Sequence, residues 1–389
     1  MFEWPLVDWD ALRRTRRERV ADVMRRLDVD HLLLTGHDNI RYATDYRSML
    51  VSDGFDWYAA VVDEVGEATI FVPYVSEDVA APQPDLPWVK AFVATPSWTP
   101  SVTQEAIWLR LLVREIRRAN ARRVGVDFLT FQFVDGLRKE LPGVEFVSAA
   151  QALYDTRRVK TANEVRLLEA ASTVNALAIS AALSRVVEGM TDFDVLAIAM
   201  EGLQRAGVEF LTHSVCVARD DQLSGNWFAT GKRLWEGDAF FFDIGCYGVG
   251  GYASDVCRTG FVGEPPAEVR KAYVALLEAY RAGQAVARPG VRVSAIDRTI
   301  NDALRKQGWK ETPYSMGHGV GLRVCELPII YRPGMMTSDA VLEAGMVIAL
   351  EPETTVVLPE GPVVLKVEDN FLVERAGLRR LSMSGYGPS

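Results

Sequence analysis

Asp243, Asp255, His318, Glu351 and Glu368 each stand in a short segment where apolar, strand-like residues meet glycine. Four carboxylates and one imidazole are too polar to bury unless they neutralise something positive. Hard oxygen donors with a single imidazole suit two divalent cations, with manganese, cobalt, iron or zinc as candidates.

Each segment carries its own signal. In Phe240-Phe241-Phe242-Asp243-Ile244-Gly245, three apolar residues run into an acid, which predicts a buried strand ending in a carboxylate. Gly250-Gly251-Tyr252-Ala253-Ser254-Asp255 follows across a glycine-rich turn. A hairpin there brings the two acids side by side. They then repel, and one pKa rises unless a cation lies between them. The plainer reading is a pair of turn-capping acids. His318 lies between glycines in Met316-Gly317-His318-Gly319-Val320-Gly321, which leaves its ring uncrowded. No Lys-Ser/Thr follows and no GxGxxG frame fits, so this is no nucleotide loop. Ala344–Leu350 reads as a strand ending in Glu351, and Val363–Asn370 as a strand with Glu368 inside it. Lys366, two residues earlier, is the plain partner for that glutamate.

The elements that hold these residues follow from periodicity. Residues 9–27 predict an arginine-rich amphipathic helix, with Arg13-Arg14-Thr15-Arg16-Arg17 on a solvated face. His31–Leu34, Ala68–Pro73, Val89–Phe92 and Val124–Asp127 predict strands, and Ile107–Ala119 a helix. This alternation predicts a small α/β domain over residues 1–155. Residues 151–162 read as a polar joint, and a long helix runs from Glu164 to about Val187. A second domain occupies residues 160–389. It carries an internal echo. Gly189 with Thr191/Asp194 opens a helix that stops at Gly207, and Gly290 with Ser294/Asp297 opens one that stops at Gly308. Capped helices of this kind, twice in one domain, suggest a duplicated half.

Composition narrows the function classes. The chain has 389 residues, 49% hydrophobic and 24% charged, with a net charge of −9. These are the proportions of an ordinary globular protein, and the acidic balance argues against a nucleic-acid partner. No stretch approaches ~18 apolar residues, so no membrane helix is expected. No signal-peptide core precedes the first helix. Cys216, Cys246, Cys257 and Cys325 show no CxxC spacing and read as free thiols in the cytoplasm.

Taken in order, FFDIG, GGYASDVCRTG, GHGVGL, AGMVIALEP and VEDNFLVE resemble the pita-bread superfamily of methionine aminopeptidase, aminopeptidase P, prolidase and creatinase. TRRVKTANEVRLLEAA resembles that family's interdomain signature, and DNIRYATD its N-terminal domain. The resemblance implies an α/β two-domain chain: a creatinase-type N-terminal α/β domain and a C-terminal pita-bread α+β domain with an internal pseudo-twofold repeat. It also implies a dinuclear site. By that resemblance Asp243 would chelate one metal, Asp255 and Glu368 would bridge both, and His318 and Glu351 would serve the second. Paired metals supply a nucleophile from water and polarise a carbonyl. Glu351 is the implied catalytic acid–base. Arg258 stands where the family's arginine steadies a carboxylate by an ion pair. A homodimer is implied as well.

The chain departs from the family at two substrate-site histidines. Cys325 stands seven residues after His318, where peptidases carry histidine. Ser224-Gly225-Asn226-Trp227-Phe228 replaces the histidine before the first metal strand. Such donors are worth ~3 kcal/mol in a transition state. Cys325 reads as a filler, a substrate contact or a soft metal contact. Asn226 and Trp227 are candidate substrate contacts, though Trp227 and Phe228 are equally read as core. His213 either fills one missing role or is structural. The twelve positions between Asp243 and Asp255 exceed the common family spacing by one, which an extra glycine at Gly248–Gly251 absorbs.

The leading expectation is therefore a metal-dependent hydrolase of an amide or related C–N bond in a dipeptide or other small substrate, Xaa-Pro dipeptidase- or aminopeptidase-like. One alternative is a specialised non-peptidase resembling ectoine hydrolase, creatinase or dimethylsulfoniopropionate lyase. Another is a non-catalytic binding module.

Overall fold

A computed structural model describes residues 2–47, 59–72, 86–95, 102–218, 227–332, 334–335, 338–383 and 385–386. The chain divides into two compact units, Asp8–Arg157 and Met1–Val7 with Arg158–Ser389.

In the Asp8–Arg157 unit, α1 (Trp9–Leu27) begins at Asp8, whose carboxylate accepts the Ala11 N–H at 2.9 Å. It buries Leu12, Val20, Val23 and Met24 along one side. The arginine run does not form a solvated face. Arg13 and Arg16 grip Asp45 at 2.7 and 3.0 Å, Arg16 is buried, and Arg17 lies over the Trp88 ring at 5.0 Å. The aliphatic stems let these cations cover apolar surface while Asp45 neutralises them.

The remaining elements are β1 (His31–Leu34), α2 (His37–Thr44), β2 (Ala59–Asp63), β3 (Ala68–Val72), β4 (Val89–Ala94), α3 (Val102–Arg118), β5 (Arg123–Val126), α4 (Phe131–Glu140), β6 (Glu145–Ser148) and α5 (Ala150–Arg157). Their sheet runs β4-β3-β2-β1-β5-β6, with β1 antiparallel to β2 and parallel to β5. Leu33, Phe71, Trp108, Ile116, Val124 and Leu137 share one core beside it. Helix α5 falls in the stretch expected as a polar joint. Its Leu153 and Arg157 are buried, the latter paired with Asp38 at 2.7 Å.

The larger unit opens with α6 (Ala162–Leu183), which Thr161 and Glu164 start as a reciprocal capping box. Thr191 and Asp194 do the same for α7 (Asp192–Ala206), which ends at Gly207. Three nine-residue antiparallel strands follow: β7 (Phe210–Ala218), β8 (Ala239–Tyr247) and β9 (Ala253–Phe261). Then come α8 (Ala267–Val286) and α9 (Val293–Lys306). Ser294 is not the cap of α9. That position belongs to Arg292, and the Ser294 N–H and hydroxyl both donate to Asp339, at 3.1 and 2.7 Å. A distant acid thus supplies the acceptor that a local cap would have given.

The C-terminal strands are β10 (Gly317–Gly319), β11 (Glu326–Ile330), β12 (Val347–Leu350), β13 (Glu353–Leu358), β14 (Gly361–Lys366), β15 (Asp369–Glu374) and β16 (Gly377–Arg380). Five of them form a sheet in the order β11-β10-β12-β15-β16, and β13 pairs with β14. Two helix-on-sheet cores result. In one, Ile179, Ala182 and Val195 pack against Phe240, Phe242 and Ile244. In the other, Leu276, Tyr280, Ile296 and Ile300 pack against Ile348, Leu350, Leu365 and Phe371. No described helix is long and apolar enough to cross a membrane.

Candidate metal centre

Strand alternation sets the first half of the site. Because Phe240, Phe242 and Ile244 face the helices, Phe241, Asp243 and Gly245 face the other way. Asp243 does not end its strand; β8 continues four residues past it to Tyr247. Asp255 lies opposite Gly245 and Asp243 opposite Cys257, so the two acids are diagonal neighbours on one face. A bulge in β7 between Leu211 and His213 aims the His213 ring at both. Its Nε2 lies 3.2 Å from an oxygen of each acid.

The C-terminal sheet supplies the second half. His318 sits on β10, opposite Ala349 of β12 and Ile329 of β11. Gly317 before it has φ 151°, and a Cβ there would meet the Ala349 carbonyl oxygen at 2.0 Å, so only glycine fits. His318 Nδ1 lies 3.0 Å from the Gly319 carbonyl, which leaves Nε2 to face Asp255, Glu351 and Glu368 at 3.6, 3.7 and 3.8 Å. Glu351 follows β12 directly, its N–H bonded to the Met316 carbonyl at 3.0 Å. Glu368 is not within a strand. It lies between β14 and β15 as an isolated bridge to Cys257 of β9. Arg258 fixes that joint by donating to the Glu368 carbonyl and to Asp369 Oδ1, both at 2.6 Å. The five expected residues thus converge, and all five are buried.

Lys366 is more than a neighbour of Glu368. Alternation along β14 puts it on the face where Val364 packs with Phe241 and Cys257, and there Nζ lies 2.7 Å from Asp243, 3.0 Å from Glu351 and 3.6 Å from Glu368. Burial works against that ammonium, but Asp243 and its neighbours raise its pKa well above the ordinary value. Burial also opposes ionisation of Asp243, yet Lys366 and His213 hold its carboxyl below the usual range. Glu368 goes the other way. Burial first and the Asp255 charge second push it well up. Burial lowers His213, and Asp255 and Asp243 outweigh burial and raise it to about 10.

The donor set fits divalent ions. Asp255 Oδ1 and Glu368 Oε1 are buried and accept no hydrogen bond, a costly state for carboxylate oxygens. The His318 Nε2 distances are too long for hydrogen bonds. They approach the spacing of about 3.4 Å between donors sharing one tetrahedral ion with bonds of about 2.1 Å. Donor atoms of His213, Asp243 and Asp255 lie within 4.8 Å of one another, as do those of Asp255, His318 and Glu368.

Around the cluster, Cys325 is exposed, and the other three thiols are buried and free. Partial enclosure of its sulfur and the Glu351 charge push Cys325 up to about 11, so it stays a neutral thiol. Trp227 is 38% exposed and packs edge-on against Phe241, with ring centroids 5.7 Å apart. Asn226 lies outside the described residues. Thr212, which no sequence signal marks, places Oγ1 3.0 Å from His213 Nδ1. Only the three-dimensional register reveals it.

The profile of metallopeptidase family M24 matches residues 166–375, more than half of the chain. The chain belongs to this family. It is a metal-dependent hydrolase by that membership. The creatinase/prolidase N-terminal domain matches residues 16–159. A Pyrococcus furiosus Xaa-Pro dipeptidase is 25% identical over 372 residues, 95% of this chain and 98% of that protein. A solved Xaa-Pro dipeptidase from Bacillus anthracis shares the fold with TM-score 0.79 at 20% identity, covering 96% of this chain and 98% of that one. A recombinant prolidase from Thermococcus sibiricus superimposes with TM-score 0.81 at 18% identity, covering 98% and 99%. Membership identifies the two-domain pita-bread architecture expected from the motifs.

The His213 shift has a stability consequence in the metal-free M24 chain. Its folded pKa of about 10 exceeds the unfolded value near 6.5. The stabilisation it brings is therefore complete below about pH 6.5 and is lost as pH rises through about 10. With a chelator present, the melting temperature of the wild type minus that of His213→Ala should fall steadily from pH 6.5 to 10. A flat difference across that range would contradict the assignment.

Proposed function

We propose that the chain hydrolyses the amide bond of Xaa-Pro dipeptides with two divalent ions held by Asp243, Asp255, His318, Glu351 and Glu368. The convergence of these five side chains, with two buried carboxylate oxygens left without a hydrogen bond, carries the reading. Divalent ions held by these residues would supply Lewis-acid chemistry, for the scissile carbonyl and for water. Glu351, which closes β12, takes the proton from the attacking water and returns it to the leaving nitrogen. Lys366 keeps Asp243 ionised, since its ammonium lies 2.7 Å from that carboxylate. We place the activity in a domain over residues 160–389, in a chain that also has an N-terminal domain over residues 1–155 and that works as a cytoplasmic homodimer. Relatives named Xaa-Pro dipeptidase along nearly the whole chain support the substrate class.

The test is a screen of metal-reconstituted protein against Xaa-Pro dipeptides, other dipeptides, small amides, ureas and cyclic amidines. Turnover confined to the non-peptide amides would overturn the dipeptide assignment. That second reading, a small-molecule C–N hydrolase, draws support from Cys325. A neutral thiol is a poor substitute for the hydrogen-bond donor that an imidazole provides. Restoring one donor alone leaves the other missing. Cys325→His is expected to change Xaa-Pro kcat/KM by less than about tenfold. A gain of about 1000-fold would show that a single histidine limits the reaction.

A further inference from the structure

We infer that His213 is itself a metal ligand, adding an imidazole to the position formed by Asp243 and Asp255. The inference rests on the metal-centre reading above and extends it to a residue outside the five.

Four observations converge on this ring. The β7 bulge between Leu211 and His213 aims it at the face shared by Asp243 and Asp255. Its partner across the sheet is Gly245, where a Cβ would lie 2.5 Å from His213 Cε1 and 2.6 Å from Nδ1. Any side chain at 245 would evict the ring, so this glycine makes its pocket. The Thr212 hydroxyl lies 3.0 Å from Nδ1, so a neutral ring protonated at Nδ1 donates to it and leaves the Nε2 lone pair facing inward. Finally, Asp255 Oδ1 lies 3.2 Å from Nε2 yet is not aligned for a hydrogen bond, although it is buried. An ion between them satisfies both donors.

His318 offers the same arrangement at the other position, with Nδ1 beside a backbone carbonyl and Nε2 among carboxylates. Each of the two positions then has one imidazole. Imidazole favours later transition metals, whereas carboxylates alone suit manganese. His213 therefore biases its position toward cobalt, iron or zinc.

Cobalt(II) and manganese(II) titrations of the full chain, followed by calorimetry, test this. His213→Ala should weaken one cobalt-binding step at least about tenfold, leave the other unchanged, and weaken manganese less. Thr212→Val keeps the imidazole and loses its anchor, so it should weaken the same step by about threefold. Pulsed electron paramagnetic resonance on manganese-loaded protein with ¹⁵N-labelled histidine gives a direct readout. The wild type should show two coupled imidazoles, and His213→Ala and His318→Ala one each. Identical nitrogen couplings in wild type and His213→Ala would overturn the ligand assignment while leaving the five-residue site intact. A wild type that binds neither ion more tightly than Asp255→Ala would overturn the underlying site as well.

Discussion

Asp255→Ala is expected to retain its fold, bind divalent metal at least about 100-fold more weakly than the wild type, and lose at least about 1000-fold in Xaa-Pro kcat/KM. Asp255 touches both halves of the site. One oxygen faces His213 at 3.2 Å and the other faces His318 at 3.6 Å. No other side chain approaches both rings among the contacts of the described residues. Removing it deletes one acid from each set of donors at once. The fold should survive because alanine suits the interior of β9 and removes a buried charge that lacks a full set of partners. Metal content after dialysis and steady-state kinetics check both parts. Full activity in an Asp255→Ala protein free of metal would refute the site.

Arg258→Met should cost about 3 kcal/mol of unfolding free energy, read from urea titrations with and without chelator. Arg258 is fully buried and donates to the carbonyls of Cys257, Glu368 and Gly385 and to Asp369, while lying 4.9 Å from the Tyr386 ring centroid. Methionine fills similar volume but leaves these acceptors without their donor. Asp369 keeps Arg380 at 3.0 Å and the Ser382 hydroxyl, which holds the loss at the lower end of the range for broken buried pairs. The Glu368 carbonyl keeps only the longer bond from the Cys257 N–H, at 3.3 Å, so metal affinity should drop with stability. A change below about 1 kcal/mol would mean that the joint between β14 and β15 is held by the strands alone.

Much of this was legible because the five residues announce themselves locally. Apolar runs before Asp243 and Glu351 and glycines around His318 are properties of adjacent positions. Four of the six described N-terminal strands were equally plain, and His31–Leu34, a short buried run, became β1 unchanged, whereas β2 and β6 carried no such signal. What failed depended on distant partners. Ser294 looked like a cap, but Asp339 took the role. The arginines of α1 looked solvated until Asp45 and Trp88 closed on them. Asp243 looked like a strand end because acids disfavour strand interiors, and only a cluster of opposite charge reverses that preference. His213 and Lys366 were visible as residues, but their role depends on a bulge in β7 and on which face of β14 meets β8 and β9, which no spacing rule encodes.

Lys366 also bears on how the enzyme matures. A pocket of bare acids would fight its own closure until metal arrived, and such proteins stay unfolded when starved of it. Here a tethered ammonium holds the place beforehand, bonded to Asp243 at 2.7 Å. The metal-free polypeptide is therefore expected to hold its shape and to regain activity when ions are added back.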